Sequence, residues 1–163
     1  MTIVIQNRQR SRRIDTRILR QIAKHLLGDL LREGEAELGI HLVNAVEMAQ
    51  VNETYLGHTG STDVITFDHN PPRTSSRSEA PPLHGELFIC VDDAIEFAHE
   101  FETSWQAEVV RYVVHGVLHL RGFDDLEPAK RRVMKREENR LTQILGDQFG
   151  LRKIAKPIAR KPC

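Results

Sequence analysis

Residues 115–125 read H-G-V-L-H-L-R-G-F-D-D, and this stretch says more about the fold and chemistry of the chain than any other. His115 and His119 are four residues apart, so a helix places both imidazoles on one face, where they can reach one ion. Gly122 can end that helix in a left-handed turn, a conformation that disfavours side chains. The turn can direct Asp125 towards the same ion. Three protein ligands and an open fourth position are typical of a catalytic zinc site rather than a structural one.

The full spacing is much more specific than the histidine pair alone. The chain has eight histidines, which give roughly 0.4 chance H-x-x-x-H pairs. Requiring Gly at position 122 and Asp, Glu or His at position 125 lowers this expectation to roughly 0.005. The alternative interpretation is a pair of core histidines with satisfied hydrogen bonds. A metal site is favoured, because histidine so readily serves as a metal ligand.

The motif lacks one residue that zinc proteases need. Those enzymes place a glutamate directly after the first histidine, as the general base. Here that position is Gly116, which has no side chain to accept a proton. Peptide hydrolysis is therefore not the first hypothesis. A metal-activated water could still attack a substrate that carries its own charge, such as a phosphodiester.

Length and composition predict a single soluble domain over residues 1–151, followed by a basic tail over residues 152–163. The chain has 163 residues, of which 40% are hydrophobic and 28% are charged, as in ordinary globular proteins. It contains no apolar run long enough for a transmembrane helix and no apolar stretch typical of a signal peptide. Its two cysteines form no disulfide framework, and Cys90 is predicted to be a buried thiol. A reducing, cytoplasmic setting is expected.

The net charge of zero hides a strong segregation of charge along the chain. Residues 1–20 carry +5, residues 21–126 carry −12 and residues 127–163 carry +7. Basic ends around an acidic middle are consistent with nucleic-acid binding, and equally with solvated helix faces and a basic tail. The bases of the last helix could bind phosphates or solvate its outer face; they are Lys130, Arg131, Lys135 and Arg140.

Hydrophobic periodicity and turn residues predict the order β-α-β-α-β-β-α-α-α. The predicted strands cover residues 3–7, 38–44, 64–67 and 85–91, and the predicted helices cover residues 16–32, 45–55, 93–102, 105–121 and 128–147. Residues 69–82, rich in proline and serine, are expected to form a mobile loop or flap. The tail from residue 152 is expected to be frayed. We predict an α+β fold, in which a small mixed sheet of about four strands is covered by helices, one of them metal-binding.

The helix predicted over residues 105–121 is apolar on most sides, as expected of a buried helix. A narrow polar stripe nevertheless runs along it, formed by Glu108, Arg111, His115 and His119. The stripe indicates that one side of this helix opens onto a cleft. Thr62 and Asp63 precede a strand and either line that cleft or serve as ordinary turn residues. Trp105 is expected in the core rather than as a platform for base stacking.

The motif at residues 115–125 resembles the signature of the YbeY family of bacterial endoribonucleases, H-G-x-L-H-L-x-G-[YF]-D-H. Every fixed position matches except the last. Residues 52–67, N-E-T-Y-L-G-H-T-G-S-T-D-V-I-T-F, are similar to the family's N-x-x-Y-R…T-D-V-L-S-F block. Residues 85–98, which begin G-E-L-F-I, are similar to its G-[DE]-[IL] strand and the helix that follows. The resemblance covers roughly residues 40–145.

The resemblance implies an α+β fold that binds one zinc ion per chain through His115, His119 and position 125. It implies cleavage of single-stranded RNA, a role in maturing the 3′ end of small-subunit rRNA, and ribosome quality control. The partners would be rRNA, the small ribosomal subunit and its assembly factors.

Two residues depart from the family pattern. The third ligand is Asp125 instead of histidine; aspartate is an accepted zinc ligand, but its charge should make the ion a weaker Lewis acid. Asp124 is an alternative ligand, although the spacing favours Asp125.

The family's arginine after N-x-x-Y, which is thought to assist catalysis, is replaced by Leu56. His58 or Arg111 could substitute, although a surface or structural role is more common for such residues.

The sequence therefore predicts a zinc-dependent, single-strand-specific endoribonuclease that acts in rRNA maturation. Two alternatives stay open. One is a metalloprotease-like hydrolase, which the glycine after His115 disfavours. The other is a non-catalytic ribosome-assembly factor with a structural zinc, which the departures at Leu56 and Asp125 keep in consideration.

Overall fold

The computed structural model describes residues 1–72 and 81–157 and contains four strands and five main helices. The strands are β1 (Thr2–Asn7), β2 (Ala36–Val43), β3 (Val64–Asp68) and β4 (Leu83–Cys90). The helices are α1 (Thr16–His25), α2 (Ala45–Val51), α3 (Val91–Glu100), α4 (Trp105–Leu120) and α5 (Pro128–Phe149). All nine predicted elements are present in the predicted order. Most of the predicted flap, residues 73–80, lies outside the described residues.

Irregular turns extend three of the helices. A π-helical turn over Leu26–Leu30 follows α1, and another over Asn52–Leu56 follows α2. A short 3-10 helix, Leu151–Ile154, follows α5. The π-helical turns account for the longer first and second helices expected from the sequence.

The four strands form one mixed sheet in the order β1-β2-β4-β3. β1, β2 and β4 are parallel, whereas β3 pairs antiparallel with β4. In both β2 and β4, buried residues alternate with less buried ones along most of the strand. Such alternation is expected of strands with one face against the core. The predicted α+β fold with a mixed four-stranded sheet is confirmed.

Helix α4 lies at the centre of the packing, in contact with α3, α5, β3 and β4. Its valines and leucines are almost all fully buried. Gly116 allows the close approach to β4, because a Cβ atom there would lie 2.6 Å from Cδ2 of Leu87. The position that carries glutamate in zinc proteases therefore faces the sheet.

Capping residues mark the start of α4 and the end of α5. Ser104 caps α4 by accepting a hydrogen bond from the Ala107 N–H, and Gly150 ends α5 with φ of 63°. Aspartate is a common N-cap residue, but neither Asp92 nor Asp93 caps α3. The helix begins at Val91, and Asp92 instead accepts a hydrogen bond at 2.7 Å from the Ala45 N–H at the start of α2.

The expected frayed tail is wrong for residues 152–157. Ile154 is fully buried, and its carbonyl accepts a hydrogen bond from the Asp15 N–H at 2.7 Å. The Lys156 N–H donates to the Arg13 carbonyl at 2.9 Å. A buried apolar side chain and two backbone hydrogen bonds therefore attach this basic stretch to the domain. Residues 158–163 of the predicted tail lie outside the described residues.

Cys90 is fully buried, as the sequence predicts, and burial raises the pKa of its thiol to about 12.

Among the described residues, no helix is both long and apolar enough to cross a lipid bilayer.

Candidate metal centre

Helix α4 brings the two histidines of the motif together. The Nε2 atoms of His115 and His119 are 3.1 Å apart. Oδ2 of Asp125 lies 3.7 Å from Nε2 of His115 and 3.5 Å from Nε2 of His119. The three side chains form a group that could hold a metal ion, as the spacing of the motif predicts.

The turn that carries Asp125 is a Schellman motif. The N–H of Gly122 donates to the His119 carbonyl at 2.9 Å, and the N–H of Phe123 donates to the Leu118 carbonyl at 3.0 Å. Gly122 has φ of 93°, the left-handed conformation predicted for it. The Phe123 carbonyl lies 3.1 Å from Nδ1 of His119. The same turn therefore brings Asp125 to the site and orients the imidazole of His119.

Asp124 is directed to other partners. Its Oδ1 accepts a hydrogen bond from the Leu126 N–H at 2.9 Å, and its Oδ2 lies 3.7 Å from the Lys130 ammonium. The bond from the Leu126 N–H contributes most to holding the pKa of Asp124 below its ordinary value. Of the two neighbouring aspartates, Asp125 is the one in the group with both histidines.

The hydrogen bonds of the two imidazoles fit a bound cation. Nδ1 of His119 faces a backbone carbonyl, and Nδ1 of His115 lies 2.9 Å from Oε2 of Glu138. A carbonyl and an ionised carboxylate can only accept, so each Nδ1 carries the proton. In the neutral imidazoles, both Nε2 atoms then present lone pairs to each other and to Asp125. Such a convergence of acceptors is unfavourable unless a cation lies among them.

The distances between the three ligand atoms are close to those of a small tetrahedral metal site. Zinc bonds to nitrogen and oxygen are about 2.0–2.2 Å long, and a tetrahedral site with such bonds has edges of roughly 3.3–3.6 Å between ligand atoms. The three edges here are 3.1, 3.5 and 3.7 Å. The donor set of two imidazoles and one carboxylate also occurs in catalytic zinc sites.

A buried carboxylate from α5 supports the site. Glu138 is 4% exposed and accepts hydrogen bonds from His115 at 2.9 Å, Arg111 at 2.8 Å and Lys135 at 3.0 Å. Burial alone would raise the pKa of this carboxyl, but the three donors outweigh it and lower the pKa to about 2. Glu138 is therefore ionised at neutral pH and acts as a fixed acceptor for His115.

The ionised Glu138 also affects the charge of His115. Burial disfavours the imidazolium, but the hydrogen bond to Glu138 and its charge outweigh burial and raise the pKa of His115. The carboxylates of Asp63 and Asp125 act in the same direction. The surroundings of His115 thus favour positive charge, whether from a proton or from a metal ion.

The sequence interpretation did not include Glu138, although a feature of the sequence marks it. Glu138 falls on the buried face of α5, in register with Met134, Leu141 and Leu145. A charged residue within an apolar helical stripe requires a partner in the core. Which partner it meets depends on how α5 packs against α4.

A cleft of about 340 Å³ opens beside His115 and Asp125. Helices α3, α4 and α5 and the residue preceding β3 contribute to its walls. Its lining consists of Asp63, Phe97, Glu108, Arg111, Tyr112, His115, Asp125, Arg131, Met134, Lys135 and Glu138. Three of the four residues of the polar stripe predicted along α4 thus line a cleft, namely Glu108, Arg111 and His115, and Asp63 lines it too.

The two residues suggested as replacements for the family's arginine are placed differently. Arg111 lines the cleft, but one of its terminal nitrogens is held by Glu138 at 2.8 Å and by Asn139 at 2.7 Å. His58 is exposed and is not among the described residues that line the cleft. Leu56 is 47% exposed at the end of its π-helical turn. Trp105 is partly buried against the core, as expected.

The chain as a whole matches a known protein family. The family described as endoribonuclease YbeY matches residues 4–146. A curated endoribonuclease YbeY from Salinibacter ruber is 35% identical over 136 residues, which cover 83% of this chain and 86% of the relative. Another, from Alkaliphilus metalliredigens, is 31% identical over 148 residues and covers 88% of this chain and 96% of the relative.

The fold is also similar to an experimental structure. A solution structure of a Thermotoga maritima protein superposes with a TM-score of 0.65 at 21% identity, and covers 99% of this chain and all of the other. At that identity, the similarity concerns the fold alone. Together with the sequence matches over most of the chain, it leads to one conclusion: this chain belongs to the YbeY family.

Proposed function

We propose that the protein is a zinc-dependent endoribonuclease that cleaves single-stranded RNA. We further propose that it acts in the cytoplasm, in 3′-end maturation of small-subunit rRNA and in ribosome quality control. Its partners would be rRNA, the small ribosomal subunit and its assembly factors. Relatives that carry the name endoribonuclease support the activity. The observation that carries the proposal is the convergence of His115, His119 and Asp125, of which His115 and Asp125 line a cleft.

In the proposed site, His115 and His119 would hold zinc through Nε2 and Asp125 through its carboxylate. When bound, zinc supplies Lewis-acid activation of water and of a phosphoryl oxygen. Glu138 holds the His115 ring in the required tautomer and orientation, and the Phe123 carbonyl does the same for His119. Asp125 brings a negative charge that a third histidine would not, so a weaker Lewis acid is expected than with three imidazoles.

A metalloprotease-like activity is disfavoured by the packing of α4. Gly116 faces Leu87 of β4 and not the cleft. A glutamate at this position would meet the sheet before it could reach a substrate. The carboxylates that line the cleft come from other positions, and Glu138 is occupied by three donors.

The function is tested by a ribonuclease assay on single-stranded RNA with purified, zinc-loaded protein. We expect cleavage by the wild type and its loss with chelator or in His115→Ala. His99→Ala, which changes an exposed histidine of α3, is the matched control and should keep activity. Zinc retention without any RNA cleavage by the wild type would favour the alternative, an assembly factor with a structural zinc.

A further inference from the structure

Three basic side chains line the cleft, and two of them are neutralised. Arg111 forms ion pairs with Glu138 at 2.8 Å and with Glu108 at 3.9 Å, and Lys135 forms one with Glu138 at 3.0 Å. Arg131 forms no ion pair with any carboxylate in residues 1–72 and 81–157. Its positive charge is therefore the one that remains available to a ligand in this part of the cleft.

Arg131 is anchored beside the metal centre. Its Nε–H donates to the backbone carbonyl of Asp125 at 2.8 Å. The side chain is otherwise exposed, and an arginine has five N–H donors in a planar fork. The hydrogen bonds among the described residues use one of them. The remaining donors are thus held close to a proposed zinc ligand and stay free to bind an anion.

We propose that Arg131 binds a phosphate of the substrate, forming a phosphodiester subsite next to the metal centre; this inference rests on the proposed function. The guanidinium fork matches two phosphate oxygens better than a single ammonium does. Arg131 would hold the phosphate against the wall of the cleft that also carries His115 and Asp125. It is a binding residue at the substrate and is distinct from Glu138, which acts through His115.

The charge of the cleft makes this binding dependent on the metal. The four acids of the lining are Asp63, Glu108, Asp125 and Glu138. With the three bases, they give a formal charge of −1, which a divalent ion changes to +1. A phosphodiester is therefore attracted to the loaded site and repelled from the empty one. Loss of Arg131 would return the loaded cleft to neutrality.

The test measures RNA binding separately from cleavage. A labelled single-stranded RNA of about ten nucleotides is titrated on ice, between about 50 and 200 mM salt, with zinc-loaded and with chelator-treated protein. Fluorescence anisotropy gives the affinity, and a gel confirms that the probe is intact. Arg131→Gln removes the charge and retains an N–H donor for the Asp125 carbonyl. Arg132→Gln is the matched control, an exposed neighbour on α5 outside the lining of the cleft.

We expect Arg131→Gln to weaken RNA binding by zinc-loaded protein about tenfold, as for loss of a hydrogen bond to a charged group. The slope of log affinity against log salt should become shallower by about 0.7, the value for one phosphate of a single strand. Arg131→Lys should recover part of the affinity, because the charge remains without the fork. Arg132→Gln should stay close to the wild type in affinity.

Several results would overturn the subsite. One is an equal loss of affinity in Arg131→Gln and Arg132→Gln, which would indicate general charge attraction. Another is weakened zinc binding in Arg131→Gln with unchanged RNA affinity at zinc saturation, since Arg131 would then only position Asp125. If the wild type cleaves RNA and Arg131→Gln binds RNA as tightly as the wild type, only the subsite is overturned.

If RNA binding depends on Arg131 but the wild type does not cleave RNA, the subsite is upheld and the nuclease proposal is refuted. Absence of RNA binding by the wild type would refute both.

Discussion

The carboxylate of Glu138 accepts a hydrogen bond from Nδ1 of His115 at 2.9 Å, and so joins two helices across 23 residues of sequence. Residues that orient metal-binding histidines in this way tune both ring orientation and ligand basicity. The same carboxylate holds Arg111 and Lys135, so it also determines which bases of the cleft remain free. One buried acid thereby links the packing of α5 to the proposed metal centre.

Replacing Glu138 by glutamine should weaken zinc binding by about tenfold to hundredfold, because the neutral amide is a poorer acceptor for the His115 N–H. Competition with a chromophoric chelator measures the affinity. Glu137→Gln is the matched control; this residue pairs with Arg140 on the outer side of α5 and should leave zinc binding unchanged. Equal zinc affinity in Glu138→Gln and the wild type would contradict the role assigned to Glu138.

The ligand assignment predicts about one zinc per chain, measured by elemental analysis of purified protein. Asp125→Ala should sharply weaken zinc binding, because only two imidazoles remain. Asp125→His should retain the ion, and removing a negative ligand should shift the pH profile of any RNA cleavage to lower pH. Asp124→Ala is the neighbouring control. Loss of zinc in Asp124→Ala, with retention in Asp125→Ala, would show that Asp124 and not Asp125 is the third ligand.

Two glycines within helices should respond oppositely to alanine. Gly116→Ala should lower the free energy of unfolding by about 1–3 kcal/mol, because its Cβ would meet the buried Leu87 side chain at 2.6 Å. Gly146→Ala should raise it by up to about 1 kcal/mol, because its Cβ would have only an ordinary contact with Leu151 at 3.8 Å. Urea denaturation measures both. A stabilised Gly116→Ala would refute the close packing of α4 on β4.

The segment after α5 should contribute to stability. Ile154→Ala should lower the free energy of unfolding by about 2–5 kcal/mol, as for other fully buried isoleucines. Deletion of residues 152–163 should destabilise the domain for the same reason, whereas deletion of residues 158–163 leaves Ile154 in place. The shorter deletion is therefore the suitable variant for testing whether the basic tail contributes to the salt dependence of RNA binding. An unchanged melting temperature after the longer deletion would argue against the packing of Ile154.

A pH effect on stability is expected at the sheet surface. Hydrogen bonds from His41 and His69, each 2.8 Å long, hold the pKa of Glu86 below its ordinary value of 4.5. The lowered pKa means that the ionised form stabilises the fold above pH 4.5, and that this contribution disappears as the pH falls further. The difference in Tm between the wild type and Glu86→Gln should therefore shrink below pH 4.5. The exposed Glu100→Gln serves as control. A Tm difference between the wild type and Glu86→Gln that grows below pH 4.5 would contradict the lowered pKa of Glu86.

The local part of the site could be predicted from the sequence. His115, His119, Gly122 and Asp125 lie within eleven residues, and the helical repeat and the left-handed glycine turn determine their relative positions. The nine elements were predictable for a similar reason, since hydrophobic periodicity and turn residues act over short distances.

The tertiary structure decided the surroundings of that local motif. Glu138 and Arg131 reach the cleft from α5, and Ile154 becomes part of the core through contacts with the chain near Asp15. Their roles depend on how separate elements pack, and sequence spacing does not determine distances between elements. A helical pattern shows that Glu138 lies on an apolar face, but only the packing of α5 against α4 shows that its partner there is His115. Local geometry is encoded by neighbouring residues, whereas the partners of a buried charge are set by the whole fold.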